Sequence, residues 1–463
     1  MDIALTHGYF LNEDPIEQRI MKPYPPLGIL YLSSYLKSRG FQVDVFDSTF
    51  SSRAAFSSWL TATRPPVVGI YVNLMTKLSV LSLIRECKRY GCTVIVGGPE
   101  VPFYGEDFLN HGADIAVIGE GETTLEELLP HLRSQVAGGL SQISGIMFRD
   151  DQNAIVRNPE RAMVQNLDSM PDPDRSAIDL RKYLATWKQH HGMSSVSLIC
   201  SRGCPFTCTW CSRSVFGETH RRRSPERVVD EIEQLIADYN PDMLWFADDV
   251  FTINHRWFDS FYQEMKRRNL RIPFECISRA DRLTEDILRK MAEIGASKIW
   301  YGSESGSQRI LDAMQRRVTV EQIRTITQAA RRHGIQAGLF VMLGYPGEEM
   351  ADIDATIDHL VESDPDQFLT TLAYPIKGTP FHDEVKDRLI VPGTWETITD
   401  RSLDFSGRRS KRFYWFATRH LINEVRYRKL KQSNSGDRSG ILSSFVKSKI
   451  SRLGMEMTDH ERS

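Results

Sequence analysis

Four of the seven cysteines fall within twelve residues of the chain, at Cys200, Cys204, Cys208 and Cys211. The last three have the spacing CxxxCxxC. A four-iron cluster normally takes four thiolates, so three ligands on one loop would leave one iron open to a substrate or cofactor. The alternative is a structural zinc site with Cys200 as fourth ligand, which would be closed and tetrahedral. Iron–sulfur ligation is favoured, because Cys200 is expected in or just after a strand.

The elements around this loop predict a partial barrel. Six short apolar runs alternate with helical segments after Ser195, too few for an eight-stranded barrel. The cysteines follow the first of these strands, where a barrel places its active site. The predicted strands are Val196–Ile199, Met243–Phe246, Phe274–Ile277, Lys298–Gly302, Ala337–Leu343 and Phe368–Ala373. The predicted helices are Pro225–Tyr239, His255–Arg268, Thr284–Ile294, Val320–His333 and Met350–Glu362.

The first 135 residues predict a doubly wound α/β domain, because short β-branched runs alternate with helical periodicity. The predicted strands are Asp2–Thr6, Val43–Asp47, Val67–Val72, Thr93–Val96 and Ile115–Ile118. Two glycine turns follow the last two strands, where such folds bind ligands. They contain Gly97, Gly98 and Pro99, and Gly119, Glu120 and Gly121. Tight strand-to-helix connections are the alternative explanation of either turn.

Composition narrows the class of protein. The 463 residues contain 58 Lys and Arg against 60 Asp and Glu, a net charge of -2, which argues against a chain built for nucleic acid. Residues 401–463, however, hold 15 basic and 6 acidic residues. This end is expected to be a solvated or partly disordered basic terminus, with an anionic substrate, a membrane surface or nucleic acid as alternative partners. No run is apolar enough to span a bilayer and no signal peptide is evident, so we expect a cytoplasmic protein.

The cysteine motif, with Trp210 before its last cysteine, resembles the signature of the radical S-adenosylmethionine (SAM) superfamily. The preceding α/β domain, with Lys22–Gly28 at its start and the two glycine turns, is similar to the cobalamin-binding domain of the B12-dependent branch. The resemblance covers roughly residues 1–385. It implies a [4Fe-4S] cluster on Cys204, Cys208 and Cys211, together with SAM and cobalamin as cofactors.

Further residues match the family by position. The resemblance implies that Asp248 and Asp249 hold the SAM amino group and that Ser278 and Arg279 lie near its methionine carboxylate. It implies that Glu304 bonds the ribose and that Gly344 and Tyr374 flank the adenine. The glycine-turn residues would contact cobalamin. Thr76 is a further candidate for that contact, with a plain loop threonine as the alternative. The chain lacks the Asp-x-His-x-x-Gly motif of many B12 proteins, which leaves the lower ligand of cobalt unassigned.

The family picture implies reductive cleavage of SAM and methylation of an unactivated carbon of a small-molecule or lipid-like metabolite. The alternatives are a radical cyclase or oxidase of the anaerobic magnesium-protoporphyrin ester cyclase type, and a radical SAM enzyme whose N-terminal domain binds no B12. A zinc or nucleic-acid-binding protein is disfavoured by the acidic first 400 residues. Expected partners are a small-molecule substrate and a reductant such as flavodoxin or ferredoxin. Nucleic acid is not expected, and the basic tail is a candidate for peripheral membrane contact.

The expected division of the chain has four parts. They are a cobalamin-binding domain at 1–139, a connector at 140–194, a radical SAM barrel at 195–385 and a basic C-terminal region at 386–463.

Overall fold

The computed structural model describes residues 1–134, 139–433 and 436–463. The chain divides into two compact units. The first unit contains residues 1–205, 213–245 and 393–399, and the second contains residues 206–212, 246–392 and 400–463.

The first unit is built on a seven-stranded sheet in which the strands have the order β2-β1-β3-β4-β5-β6-β7. The first five strands pair in parallel, and β6 and β7 form an antiparallel hairpin that continues the sheet from β5. This hairpin comes from the segment that we expected to be a connector. The strands are β1 Ile3–His7, β2 Val43–Phe46, β3 Val67–Tyr71, β4 Thr93–Gly97, β5 Ile115–Val117, β6 Ile146–Arg149 and β7 Ile155–Arg157.

Helices connect and flank the strands of this unit. They are α1 Pro15–Ile20, α2 Leu27–Ser38, α3 Arg53–Thr63, α4 Lys77–Arg89, α5 Val101–Asn110, α6 Glu122–Ser134, α7 Leu180–His191 and α8 Pro225–Tyr239. The apolar core lies on both faces of the sheet. On β4, for example, Val94 and Val96 belong to one buried cluster and Ile95 to another, because alternate side chains point to opposite faces. The predicted doubly wound domain is confirmed.

The second large sheet has six strands in the order β15-β14-β13-β12-β11-β8, as expected for a partial barrel of successive βα repeats. The strands are β8 Ser195–Leu198, β11 Met243–Phe246, β12 Phe274–Ser278, β13 Ala296–Glu304, β14 Gln336–Leu343 and β15 Gln367–Leu372. The neighbouring strands β12 to β15 pair in parallel. Two short hairpins are added by β9 Ser201–Arg202 with β10 Arg221–Arg222 and by β16 Leu389–Ile390 with β17 Asp404–Phe405.

The helices of the second unit are α9 His255–Arg267, α10 Glu285–Ile294, α11 Gln308–Ala313, α12 Val320–Arg332, α13 Met350–Ser363, α14 Pro380–Val385, α15 Lys411–Gln432 and α16 Arg438–Thr458. Short 3₁₀ turns over both units are Leu11–Glu13, Gly139–Gln142, Leu167–Ser169, Arg175–Ala177, Ala280–Arg282, Lys386–Arg388 and Asp400–Ser402.

The basic C-terminal region is folded over the residues that the structure describes, contrary to the expected solvated terminus. Helix α15 packs on α13 and α16. Over the described ranges, none of the helices combines the length and the apolar character that crossing a bilayer requires.

Candidate active site

The cysteine loop of the second unit is anchored by the two residues that follow Cys208. The Thr209 hydroxyl lies 2.7 Å from the Tyr345 hydroxyl, and its backbone N–H donates to Met314 O at 3.2 Å. Trp210 packs against the apolar cluster that contains Met314 and Tyr345. Cys208 is buried and Cys211 is exposed. The loop thus has a defined position against α11 and the end of β14.

Arg279, which follows β12, connects this loop to another part of the unit. Its Nη1 donates to Cys208 Sγ at 3.6 Å, and its Nη2 donates to Arg316 O at 2.7 Å. Its Nε donates to Asp281 Oδ1 at 2.8 Å, and its guanidinium lies 3.7 Å from the centre of the Phe206 ring. All three guanidinium nitrogens are therefore engaged within the protein. The predicted pairing of Arg279 with the SAM carboxylate would require one of these bonds to exchange.

Glu304 ends β13 with φ at 56°, in the left-handed region that a glutamate rarely adopts. Its carboxylate is buried, and Arg316 Nε lies 3.6 Å from Oε1. Burial raises the pKa of Glu304 to about 7, although Arg316 and Arg279 act to lower it. Gly302 makes this geometry possible, since a Cβ there would lie 2.1 Å from Oε1 of Glu304. A strained backbone and a poorly neutralised buried acid together mark a functional position.

A second buried carboxylate follows β14. Glu348 accepts a hydrogen bond from the Gly344 N–H at 2.7 Å through Oε2, and among the described residues its buried Oε1 has no hydrogen-bond partner. Burial raises the pKa of Glu348 to about 8, and Asp352 adds to the effect. Gly344 has φ at 78°, and a Cβ there would lie 2.7 Å from Leu372. Tyr374, half-buried, follows directly after β15.

Two adjacent carboxylates follow β11, as predicted. Asp248 is buried, whereas Asp249 is exposed. The pKa of Asp249 is raised, first because protein atoms displace water around its carboxylate and then because Asp248 lies beside it. Ser278 is buried at the end of β12, with its hydroxyl 2.5 Å from that of Thr252.

In the first unit, the turn after β4 contains two glycines with different surroundings. A Cβ on Gly98, which has φ at 121°, would lie 2.3 Å from Val72 O, so the fold itself requires glycine there. A Cβ on Gly97 would meet no protein atom closer than 3.9 Å. Packing therefore does not require glycine at position 97, and Pro99, half-buried, leads on to α5.

The turn after β5 shows the same contrast. Gly119 has φ at 82°, and a Cβ there would lie 4.0 Å from the nearest atom, Val215 O. A Cβ on Gly121 would lie 3.1 Å from Leu32. Packing requires glycine at Gly98 and is tight at Gly121, and the positive φ of Gly119 favours glycine there, whereas neither reason applies to Gly97.

Glu120 lies between the two glycines of this turn, but its side chain is used inside the protein. Arg202 donates to Oε1 at 2.7 Å, and Arg221 donates to Oε2 at 2.8 Å. The Val164 N–H donates to Oε2 at 2.7 Å. Burial alone would raise the pKa of Glu120, but these donors outweigh it and the pKa is lowered. Only the backbone of Glu120 is left to contact a cofactor.

Thr76 precedes α4 and closes a loop with Asn73, whose N–H donates to its hydroxyl at 3.1 Å. The next residue, Lys77, is only 1% exposed, donates to Trp395 O at 2.8 Å and lies 4.6 Å from the centre of the Trp395 ring. Sequence reasoning overlooked Lys77, Arg202, Arg221 and Arg316. For Lys77 the available signal was a lysine inside an otherwise apolar face of its helix.

The predicted cluster ligand Cys204 belongs to the first unit, beyond β9, and is half-buried, while Cys200 is buried. Over residues 1–134, 139–433 and 436–463, no three His, Cys, Asp or Glu side chains are arranged to hold a metal ion. The donor set nevertheless fits an iron–sulfur cluster, because thiolates are its usual ligands and Arg279 offers a cationic donor to one of them. The residue assignments for cluster, SAM and cobalamin remain predictions.

These features define a class: an α/β enzyme with a six-stranded partial barrel and a separate doubly wound domain. Comparison with known proteins identifies the family. Residues 198–360 match the radical SAM superfamily, and residues 19–129 match the B12 binding domain. An uncharacterized methyltransferase of Pyrococcus horikoshii is 30% identical over 400 residues, covering 84% of each chain. The anaerobic magnesium-protoporphyrin IX monomethyl ester cyclase of Rubrivivax gelatinosus is 25% identical, covering 80% of this chain and 67% of that protein.

Solved structures share the fold. The cobalamin-dependent SAM radical enzyme OxsB, solved with aqua-cobalamin, has a TM-score of 0.75 at 17% identity, covering 98% of this chain and 80% of that one. The radical SAM methyltransferase TsrM of Kitasatospora setae, solved with cobalamin and a [4Fe-4S] cluster, has a TM-score of 0.70 at 18% identity, covering 86% and 79%.

The chain therefore belongs to the radical SAM superfamily, in the methyltransferase-like branch that carries a B12 binding domain. It is a radical SAM enzyme. The predicted cofactors, an iron–sulfur cluster with SAM and a cobalamin, are confirmed at the level of these two domains.

Proposed function

We propose that this enzyme methylates an unactivated carbon of a small-molecule or lipid-like metabolite. The single observation that carries the proposal is the contact between Arg279 and Cys208 Sγ, 3.6 Å apart, which fixes the cysteine loop at the carboxyl end of β12. Active sites of βα barrels lie at this end of the strands. Relatives named as methyltransferases make methyl transfer the favoured outcome.

Cys204, Cys208 and Cys211 would hold the cluster, and the two glycine turns of the first unit would contact the cobalamin. When bound, the cluster supplies the electron that cleaves SAM, and cobalamin supplies methyl transfer. Arg279 acts as a positioning residue, since it orients Cys208 while its other donors anchor Asp281 and Arg316 O. A guanidinium beside a sulfur ligand also offsets its negative charge.

The groups that would bind SAM differ in charge. Asp248 and Asp249 would accept hydrogen bonds from its ammonium group. The pKa of Asp249 is raised first by loss of water around its carboxylate and then by the neighbouring Asp248, and a bound cation would oppose both effects. Glu304 would accept hydrogen bonds from the ribose hydroxyls. Ser278 is within the same segment as Arg279, and Gly344 and Tyr374 would flank the adenine.

Cobalamin would lie against backbone rather than side-chain groups. Gly97 and Gly119 leave their Cα surfaces open, and Pro99 and Gly121 shape the turns beside them. Thr76, with its hydroxyl tied to Asn73, would limit the depth of the pocket. We assign cobalamin binding to a domain at 1–139. In this proposed division of the chain, a connector at 140–194, the barrel at 195–385 and a C-terminal region at 386–463 follow.

Each methyl transfer would consume two molecules of SAM and two electrons. One SAM gives methionine and 5′-deoxyadenosine, which carries the hydrogen removed from the substrate carbon. The other gives S-adenosylhomocysteine and the transferred methyl group. We propose flavodoxin or ferredoxin as the electron donor.

The test uses anaerobic holoenzyme, a reductant and SAM with a deuterated methyl group. Incubation with a metabolite extract should give 5′-deoxyadenosine, S-adenosylhomocysteine and one product that carries the deuterated methyl. A variant that tests the role of Arg279 is Arg279→Lys, which keeps the charge but loses the planar donor set. It should slow 5′-deoxyadenosine formation by about tenfold or more. Formation of 5′-deoxyadenosine with no deuterated product would contradict methylation.

A cyclase is the second candidate, because three relatives are named as anaerobic magnesium-protoporphyrin IX monomethyl ester cyclases. The same experiment separates the two. A cyclase would produce 5′-deoxyadenosine and a product that keeps its carbon count, without S-adenosylhomocysteine in matching amount.

A further inference from the structure

Helix α16 is unusual for a surface helix, because its buried face is mostly small or polar and its exposed face is apolar. The side that packs inward is made of one large apolar residue, Met455, and five small or polar residues: Ser444, Ser448, Ser451, Gly454 and Thr458. The side that faces solvent carries an outer stripe of large apolar residues: Leu442, Val446, Ile450, Leu453 and Met457. Successive stripe residues are three or four positions apart, so they form one continuous face of the helix.

The inward face of α16 packs closely on α15 through specific contacts, and these contacts determine which face of α16 is exposed. A Cβ on Gly454 would lie 2.4 Å from the Phe416 ring of α15, which shows how closely the two helices approach. Ser448 donates to Glu424 at 2.5 Å, and His420 Nδ1 lies 3.0 Å from the same hydroxyl. These contacts hold the stripe away from the body of the unit.

The outer stripe is exposed to an unusual degree. Leu442 is 63% exposed, Ile450 62%, Leu453 57% and Met457 62%. A surface helix normally buries its large apolar side chains, because removing them from water is favourable. A contiguous exposed apolar face therefore indicates a surface that is covered in the working state.

The charge around the stripe identifies what covers it. Helices α15 and α16 together contain eleven Lys and Arg against two acidic residues, Glu424 and Glu456. Three of these cations, Arg428, Lys429 and Arg452, are paired with Asp358, Asp364 and Asp354 on or next to α13. Lys447 and Lys449 lie on α16 among the stripe residues, and both are exposed. On α15, Trp415 is 55% exposed and its ring lies 4.6 Å from the Arg419 guanidinium.

This charge argues against two other occupants. A second copy of the chain would bring the same basic surface against itself, and like charges across an interface oppose association. Nucleic acid would match the charge, but aliphatic Leu, Val, Ile and Met side chains offer bases nothing to stack on. Apolar residues flanked by lysines and an exposed tryptophan are the combination that binds anionic lipid surfaces.

We propose that the outer stripe of α16, with the basic residues of α15 and α16, docks the enzyme on an anionic membrane surface. The stripe enters the boundary between headgroups and acyl chains, while Lys447 and Lys449 contact anionic headgroups. This inference does not depend on the proposed methyl transfer, because none of its residues belongs to the predicted cofactor sites.

The test is flotation of the full-length holoprotein with vesicles of phosphatidylcholine alone or with phosphatidylglycerol at about three to one. We expect binding to the mixed vesicles, weakened by raising salt from about 0.1 to about 0.5 M. The double variant Ile450→Ser, Leu453→Ser should reduce the partition coefficient at least tenfold, since it removes two apolar side chains from the contact. Lys447→Glu, Lys449→Glu should abolish the preference for phosphatidylglycerol.

The matched control is Ile16→Ser, which removes an isoleucine that is 59% exposed on α1 and far from the stripe in sequence. It should leave vesicle binding unchanged. Absence of binding by the unmodified protein, or equal binding by the double serine variant, would overturn the proposal. A dimer in sedimentation that the serine variant dissociates would overturn it in favour of a second copy, and capture of an acidic protein without vesicle binding would overturn it in favour of a protein partner.

Discussion

Two buried carboxylates of the first unit, Glu120 and Glu231, differ from two of the second unit, Glu304 and Glu348, in how well the protein neutralises them. In the first unit, Glu120 is paired with Arg202 and Arg221, and Glu231 is paired with Arg175 and Arg223. Burial would raise the pKa of both acids, yet the arginines lower it. These acids are neutralised by the protein itself and stay ionised.

In the second unit, Glu304 and Glu348 are equally buried but have weak partners. Arg316 is 3.6 Å from Glu304, and Glu348 accepts one hydrogen bond from backbone. Their pKa values are raised to about 7 and about 8. A buried acid without a matching donor is costly unless a ligand satisfies it. The paired acids of the first unit therefore serve the fold, whereas Glu304 and Glu348 are arranged for a ligand.

The largest expected effect tests the assignment of the cluster ligands. Cys204→Ala, Cys208→Ala and Cys211→Ala should each abolish formation of 5′-deoxyadenosine, because each removes a thiolate that the cluster needs. Cys200→Ala is the matched control and should retain a cluster and SAM cleavage. The readouts are iron and sulfide content and product formation under anaerobic conditions. Normal SAM cleavage by Cys208→Ala would disprove the ligand assignment.

The next effect compares the acids directly. Glu120→Gln should lower the free energy of unfolding by about 3 kcal/mol, because it leaves two buried guanidinium groups without their anion. Glu348→Gln should instead raise it by about 1 kcal/mol at about pH 8.5, since ionised Glu348 is disfavoured by burial. Urea unfolding of both variants and of the unmodified protein measures whether each substitution lowers or raises the free energy of unfolding.

The pH dependence follows from the same shift. The pKa of Glu348 is about 8 in the folded protein, against an ordinary value of 4.5. Between these two pH values the folded protein keeps a proton that the unfolded chain loses, so the free energy of unfolding should fall as pH rises from 4.5 to about 8. Glu348→Gln should flatten this slope, whereas Glu120→Gln should not. Equal slopes in all three proteins would refute the role given to Glu348.

A smaller effect concerns SAM binding. If ionised Glu304 accepts hydrogen bonds from the ribose, SAM affinity should fall by up to tenfold per pH unit below about 7 and level off above it. Binding should also release a proton, which calorimetry in buffers of different ionisation enthalpy detects. Glu304→Gln should remove both effects, and an affinity that rises towards low pH would contradict the assignment.

The smallest effect separates packing glycines from ligand glycines in the first unit. Gly97→Ala should leave the free energy of unfolding within about 0.5 kcal/mol of that of the parent protein, because the added methyl would meet no protein atom closer than 3.9 Å. It should weaken cobalamin binding several-fold, because the methyl would lie beside the turn that contacts the cofactor. Gly98→Ala should destabilise the unit, since its Cβ would collide with Val72 O. Unchanged cobalamin affinity in Gly97→Ala would remove Gly97 from the site.

Most of the fold could be predicted from local patterns. Helix α8 was predicted at its observed bounds, and the strands of both large sheets were located to within about two residues, because burial imposes β-branched runs and helical periodicity on the sequence. Helix α5 and the addition of β6 and β7 to the first sheet were not anticipated. Pairing across an edge depends on residues distant in sequence, which a single chain does not reveal.

The site was less predictable than the fold. Spacing alone indicated Cys204, Cys208 and Cys211, and the family resemblance added Glu304 and Arg279. Arg316 carried no local signal, because its importance comes from contact with Glu304 and with Arg279 after folding. Glu120 was predicted as a cofactor contact, but only the folded chain shows that its carboxylate is paired with Arg202 and Arg221.

Residue order was sufficient to establish the cysteine motif, the two α/β series and the excess of basic residues at the C-terminus, since each is a property of neighbours along the chain. Tertiary structure was needed to distinguish the acids that are paired from those that are not, and to show that α16 turns its serines inward and its leucines outward. Burial, pKa and surface character depend on which distant side chains meet, and that is established only when the chain folds.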